Sequence, residues 1–183
     1  MDRRGVLSLL GITALGLTEA RAYASVARGL SLRDLVLKSK TAALVTPLAR
    51  QASWQTIGGS RRIVTETRAR VEEHVSGADP RVSEVLLYTL GGRVGTIGQI
   101  VEGEAELAIG EGCLAFLSEV EPLVYRVTAM AQGHYPIAIE ARGRVLRASP
   151  SLPALLRSRD SAVERLSGRL LGEGLDLVRA ERK

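Results

Sequence analysis

The sequence predicts a mainly β chain: a small antiparallel barrel or sandwich, with a short helix ahead of it and an amphipathic helix behind it. Three features of the 183 residues carry that prediction. Between residues 88 and 117, glycine recurs at 91, 92, 95, 98, 103, 110 and 112 among short apolar runs, the texture of strands that bend sharply and return. Across residues 61–75, Ile63, Thr65, Thr67, Ala69, Val71 and Val75 alternate with Arg62, Glu66, Arg68, Arg70, Glu72 and His74, Val64 being the exception. That period of two marks a long strand with one covered face and one charged, wet face. After Ser149-Pro150-Ser151 the spacing turns helical, through Leu152, Leu155, Leu156, Val163, Leu166 and Leu170.

Taken in order, residues 1–24 have the three parts of an export signal: Arg3-Arg4, an uncharged and mostly apolar run over 5–18, and the small-x-small group Ala22-Tyr23-Ala24. Cleavage there leaves Ser25 first. The apolar run is short of the roughly 20 residues that a membrane-spanning helix needs, and no cysteine follows it to carry a lipid. The paired arginines also fit a twin-arginine signal, with Asp2 where Ser or Thr is usual, so two export routes stay open. The expected location is periplasmic or secreted, with no transmembrane anchor after cleavage.

Residues 25–148 read as the β domain with its leading helix, and 149–183 as a C-terminal helical segment. Ser31-Leu32-Arg33-Asp34 is a capping box, and Leu32, Leu35 and Val36 then share one helical face. Residues 41–47 read as a first strand stopped by Pro47, and 51–60 as a loop holding Trp54 and Gly58-Gly59. The strand over 61–75 turns at Gly77-Ala78-Asp79-Pro80 into another over 82–90, whose run Val85-Leu86-Leu87-Tyr88 implies burial on both faces. Further strands are expected at 96–101, 113–118 and 123–131, and a hairpin at 135–140 and 144–147 turning through Arg142-Gly143. The last helix is expected to lie on the barrel, with Gly172 and Gly174 interrupting it. Docking a partner or lying on a membrane surface, with Arg157, Arg159, Arg165 and Arg169 on its polar side, is its alternative use.

Composition narrows the chemistry. The net charge of +5 is spread among Asp and Glu, which describes a soluble surface better than a polyanion site. Aromatic residues are only 3% of the chain, too few for the stacking by which single-stranded nucleic acid is usually gripped. The one cysteine, Cys113, excludes an internal disulfide and lies in an apolar run as a buried side chain. His74 and His134 lack metal-ligand spacing and read as surface residues, one on the charged strand face and one in a turn. Glu102, Glu104, Glu106 and Glu111 read as solvated hairpin carboxylates. Gly91-Gly92-x-x-Gly95 opens no helix and is followed by no Lys-Ser/Thr, so it makes no phosphate cradle. No cofactor, no metal and no catalytic residue is expected. Trp54 either plugs the barrel mouth or stands exposed as a partner's anchor, and Gly91, Gly92, Gln99, Gln132 and Gly133 are expected to line one rim with it.

An ordered set of motifs spans roughly residues 30–137. It comprises the Leu-x-x-Leu-Val-x-x-Ser helix (Leu32 to Ser39), Arg62-Ile63-Val64-Thr65, Val75-Ser76-Gly77 and Leu90-Gly91-Gly92-Arg93-Val94-Gly95. Gly103-Glu104-Ala105, Gly110-Glu111, Phe116-Leu117 and Ala131-Gln132-Gly133 complete it. The set resembles a family of exported bacterial proteins of the myxobacterial type, whose strand plan is remotely similar to netrin/TIMP-like OB barrels. The resemblance implies an OB-like fold. The zinc-blocking N-terminal cysteine of the TIMP inhibitors has no counterpart at Ser25-Val26-Ala27, so that mechanism does not carry over. Gly112-Cys113 and Ser76 depart from the family's pattern, as in a divergent member. The expected function is a non-enzymatic binding module for a protein, such as an exported protease, or for a cell-envelope component. The alternative is an envelope hydrolase; a nucleic-acid partner is disfavoured.

Overall fold

A computed structural model describes residues 27–77, 81–153, 155–156 and 160–182; the export signal, residues 78–80 of the expected turn and parts of 154–159 lie outside them. The strands are β1 (Ala27–Arg28), β2 (Thr41–Ile57), β3 (Ser60–Ser76), β4 (Glu84–Leu90), β5 (Gly92–Val94), β6 (Ile97–Gln99), β7 (Cys113–Glu121), β8 (Val124–Val127), β9 (His134–Glu140), β10 (Gly143–Leu146) and β11 (Leu155–Leu156). The helices are α1 (Leu32–Lys38), α2 (Ala162–Leu166) and α3 (Leu171–Glu181), with a 3-10 turn at Met130–Gly133.

Seven strands form one sheet in the order β10-β9-β7-β2-β3-β4-β8, and β8 returns to pair with β7. That return draws β7, β2, β3, β4 and β8 into a five-strand ring, antiparallel except at β4–β8, which is parallel. The fold is mainly β, and the five-strand ring is the OB-like barrel form of the expected class. Register shifts at Ala42/Ala43, Leu44/Val45 and Pro47/Ala49 bend β2 enough for it to serve both sides of the ring.

Two cores share the β2 and β7 strands. Inside the barrel lie Ala43, Val45, Ala69, Val85, Leu87, Cys113, Ala115, Leu117, Tyr125 and Val127. On the outer face, Leu44, Leu114, Phe116, Tyr135 and Leu146 meet Leu32, Leu35 and Val36 of α1, Leu166 of α2, and Leu171, Leu175 and Val178 of α3. The unbroken apolar run 113–117 is therefore an alternating strand with a core on each side. The C-terminal helices pack on the barrel as part of this second core.

Local chemistry sets the helical layer. The Ser31 hydroxyl accepts the Asp34 N–H at 3.0 Å, as the capping box predicts, and Ser161 caps α2 in the same way through Glu164. Arg182 donates to the carbonyls of Val36 and Ser39, tying the end of α3 to the negative end of α1. Gly174 faces Leu146 so closely that a Cβ would overlap its Cδ1, which lets α3 lie flat on the strand.

Several expectations change. Pro47 does not end the first strand: it sits at a bulge, needs no ladder N–H there, and the strand runs on to Ile57. Residues 51–60 are accordingly strand and tight turn, not loop. In β4 only Val85, Leu87 and Thr89 are buried, while Leu86 and Tyr88 are half-buried, so the strand alternates. The strand expected at 96–101 is a small hairpin of β5 and β6, and that at 123–131 ends at Val127 before the 3-10 turn. Leu155 and Leu156, expected in the last helix, form β11 beside β1; helix begins only at Ala162 and breaks at Ser167–Leu170, and Gly172 and Gly174 lie inside α3.

Candidate binding face

Beyond Val45, its last residue paired with β7, β2 continues for twelve residues with β3 as its only strand partner among the described residues. The two strands make an arm closed by Gly58-Gly59, whose φ values of +57° and +78° suit the tight hairpin turn between Ile57 and Ser60. Residues opposite one another in an antiparallel pair share a face. Trp54↔Ile63, Ala52↔Thr65 and Arg50↔Thr67 therefore point one way, and Thr56↔Arg61 extends the row to the tip. The Arg61 guanidinium lies 5.0 Å from the Trp54 ring centroid, a cation–π pair.

The β5–β6 hairpin is fastened beside this row. The Gln99 side-chain carbonyl accepts the Ile63 N–H at 3.0 Å, and the Thr65 hydroxyl donates to the Gly91 carbonyl at 2.7 Å. Gly92, at φ +126°, presses on Thr65 and Ala52 where any Cβ would collide with the Thr65 hydroxyl. Arg93 then comes to line a hollow with Arg50, Ala52, Thr65 and Gly92. The row leads on into a cleft of about 410 Å³ walled by Thr65, Thr67, Thr89, Gly91, Gln99 and Glu104 among others. Mouths of small barrels are common binding places.

Glu104 is the one half-buried acid of the cleft and departs from the solvated carboxylate expected there. It accepts the N–H groups of Leu90 and Ala105 at 3.2 Å. Burial raises its carboxyl above the ordinary value, with those two hydrogen bonds and the nearby Arg126 pulling it partway back.

Of the residues expected on one rim, Gly91, Gly92 and Gln99 do line this cleft. Trp54 belongs to neither core and stands half-buried on the arm, on the face that leads into the cleft. Gln132 and Gly133 serve a different purpose. The Gln132 side chain accepts the Leu30 N–H and donates to the Arg28 carbonyl, holding the N-terminal strand. A Cβ at Gly133 would run into the backbone carbonyl of Thr128, so that glycine closes a turn. Arg50 is signalled by the alternation Arg50-x-Ala52-x-Trp54-x-Thr56, whereas Arg93 reaches the hollow only through the packing of β5 and has no such signal.

The other reactive side chains are placed as structure. His134 is 3% exposed, against the expectation of a surface turn, and its Nδ1 lies 3.1 Å from the Ser149 hydroxyl. Burial lowers its pKa to about 4. His74 is half-buried, its Nε2 2.7 Å from the Val82 carbonyl. Cys113 is buried as expected, and burial pushes its thiol up to about 12. Among the described residues no three His, Cys, Asp or Glu side chains gather as a metal site.

No family model matches the chain, and no curated protein matches it. The arm and the cleft therefore have to be read from their own chemistry.

Proposed function

We propose that the chain is an exported, non-enzymatic binding module that contacts a protein or another cell-envelope component through the open face of the β2–β3 arm. The observation that carries the reading is the Trp54–Arg61 pair, set across β2 and β3 on the face that leads toward the cleft. Tryptophan and arginine dominate contact energies wherever they can be desolvated by a partner. Their pairing also holds both side chains in place beforehand, so less order is lost on contact. The cleft adds hydroxyls, a carboxamide and backbone groups, which orient a ligand by hydrogen bonds. An exported protease is one partner that this surface would suit, and membership of the exported family suggested by the ordered motifs belongs to the same proposal.

The test is capture from the envelope of the producing cell, with the purified chain immobilised. Trp54→Ala is expected to lower retention of the partner at least tenfold, and Ile139→Ala, on a remote exposed strand position, to leave it unchanged. Equal retention by both variants, or turnover of a peptide or glycan library abolished by a single change in the cleft, would refute the reading.

A further inference from the structure

The arm has an open edge as well as an open face, and the two carry the same residues. In a hairpin with a two-residue turn, Ile57 and Ser60 exchange hydrogen bonds, so bonded pairs recur at every second position. On β2 the residues bonded to β3 are then Ile57, Gln55, Ser53 and Gln51. Thr56, Trp54, Ala52 and Arg50 turn their N–H and C=O groups away from β3. On β3 the same rule turns Ile63 outward, and its carbonyl indeed accepts the Gly91 N–H while its N–H meets Gln99. Among the described residues nothing pairs with the outward groups of Arg50, Ala52, Trp54 and Thr56. Between Ala49 and Ile57 the edge has no proline, no lysine and no register shift, and Arg50 is its one charged side chain.

We infer that this edge of β2 takes up an extended acidic peptide segment of a partner protein as an added strand. The ladder of four N–H and four C=O groups supplies the sequence-independent part. Charge selects the occupant. Arg50, Arg61 and Arg93 border the face beside the edge, and none of the three has an acidic partner among the described residues. Aspartate or glutamate at alternate positions of the incoming strand would fall on that face, next to Arg50 and Trp54. The inference rests on the binding-module reading and narrows it to one kind of partner.

A nine-residue peptide alternating Asp with Thr and Val is the probe, measured against the intact chain by the emission of its single tryptophan and by amide exchange. Binding is expected together with at least tenfold slower exchange at Arg50, Ala52, Trp54 and Thr56. Methylating alternate backbone nitrogens of the peptide should abolish it. Arg50→Glu should weaken it at least tenfold, and Thr56→Pro, which removes one outward N–H at an exposed position, should weaken it several-fold with the fold intact. Binding without that alternating protection, or the same protection appearing with protein concentration alone, overturns the inference. Failure of the peptide while Trp54→Ala still loses the envelope partner overturns the added strand and leaves the binding face standing; failure of both removes the face as well.

Discussion

Phe116→Ala is expected to lower the free energy of unfolding by about 4 kcal/mol, the range for emptying a fully buried aromatic position. Phe116 is wholly buried on the outer face of β7, and its ring meets Tyr135 edge-on at 6.0 Å and 72°. The loss combines the transfer of an aromatic ring out of the core with an edge-to-face contact worth about 1 kcal/mol. It falls where α1, α2 and α3 meet the barrel, so the helical layer should loosen before the ring opens. Urea unfolding followed by far-ultraviolet dichroism measures it. A drop under about 1 kcal/mol would mean that the helices do not pack on the barrel as described.

Acid is expected to destabilise the protein through one imidazole. His134 has a folded pKa of about 4 against an ordinary value of 6.5. Between those two values the unfolded chain binds a proton that the folded chain refuses, so stability is full above pH 6.5 and falls as the pH drops toward 4. Below that, folded and unfolded forms are both protonated and this contribution is flat. The size is about 3 kcal/mol, from roughly 1.4 kcal/mol for each pH unit of separation. Glu72, held below the ordinary carboxyl value by Arg70, works in the same direction but at lower pH. A His134→Gln variant isolates the histidine: its unfolding midpoint in urea should change far less between pH 7 and pH 4. Parallel profiles for the two proteins would contradict a buried, neutral His134.

Sequence pattern reached the elements whose burial is local and missed those whose burial is decided elsewhere. The capping box at Ser31, the period of two in β3 as far as Val71 and the hairpin of β9 and β10 each declare themselves within a few residues. Past Val71 register shifts break the period, so that Val75 joins the outer core instead of the face of Ala69 and Val71. The parallel pairing of β4 with β8 closes the ring through residues far apart in the chain, and no periodicity announces it. β2 was hidden for a different reason. Its outer half, Gln-Ala-Ser-Trp-Gln, is half-buried or exposed on both faces, so it shows no apolar alternation and resembles a loop. Pro47 strengthened that impression because a proline at a bulge and a proline ending a strand look alike in one dimension.

The candidate site was legible in part for the same reason. The glycine-rich surroundings of Gly91, Gly92 and Gln99 imply close backbone approach, which Gly91 makes to the Gln99 carbonyl and Gly92 to Thr65 and Ala52. Gln132 and Gly133 carry the same signature and also approach the chain itself, at Leu30 and Thr128, but away from the cleft. Glycine marks where backbones come near each other; it does not say whether the neighbour is a ligand. His134 beside them reads as exposed because a polar turn sequence suggests water, whereas it caps the 3-10 turn as the first, buried residue of β9.

The binding face depends on where Trp54 stands. Iodide quenching of its emission in the free protein tests that directly, since no other tryptophan contributes. On an open arm beside Arg61 and Arg50, the indole should be reached readily by iodide, more so than by neutral acrylamide relative to a free tryptophan standard, because the arginines draw the anion in. A blue-shifted emission that neither quencher touches would put the ring inside the barrel, and the binding face would have no anchor.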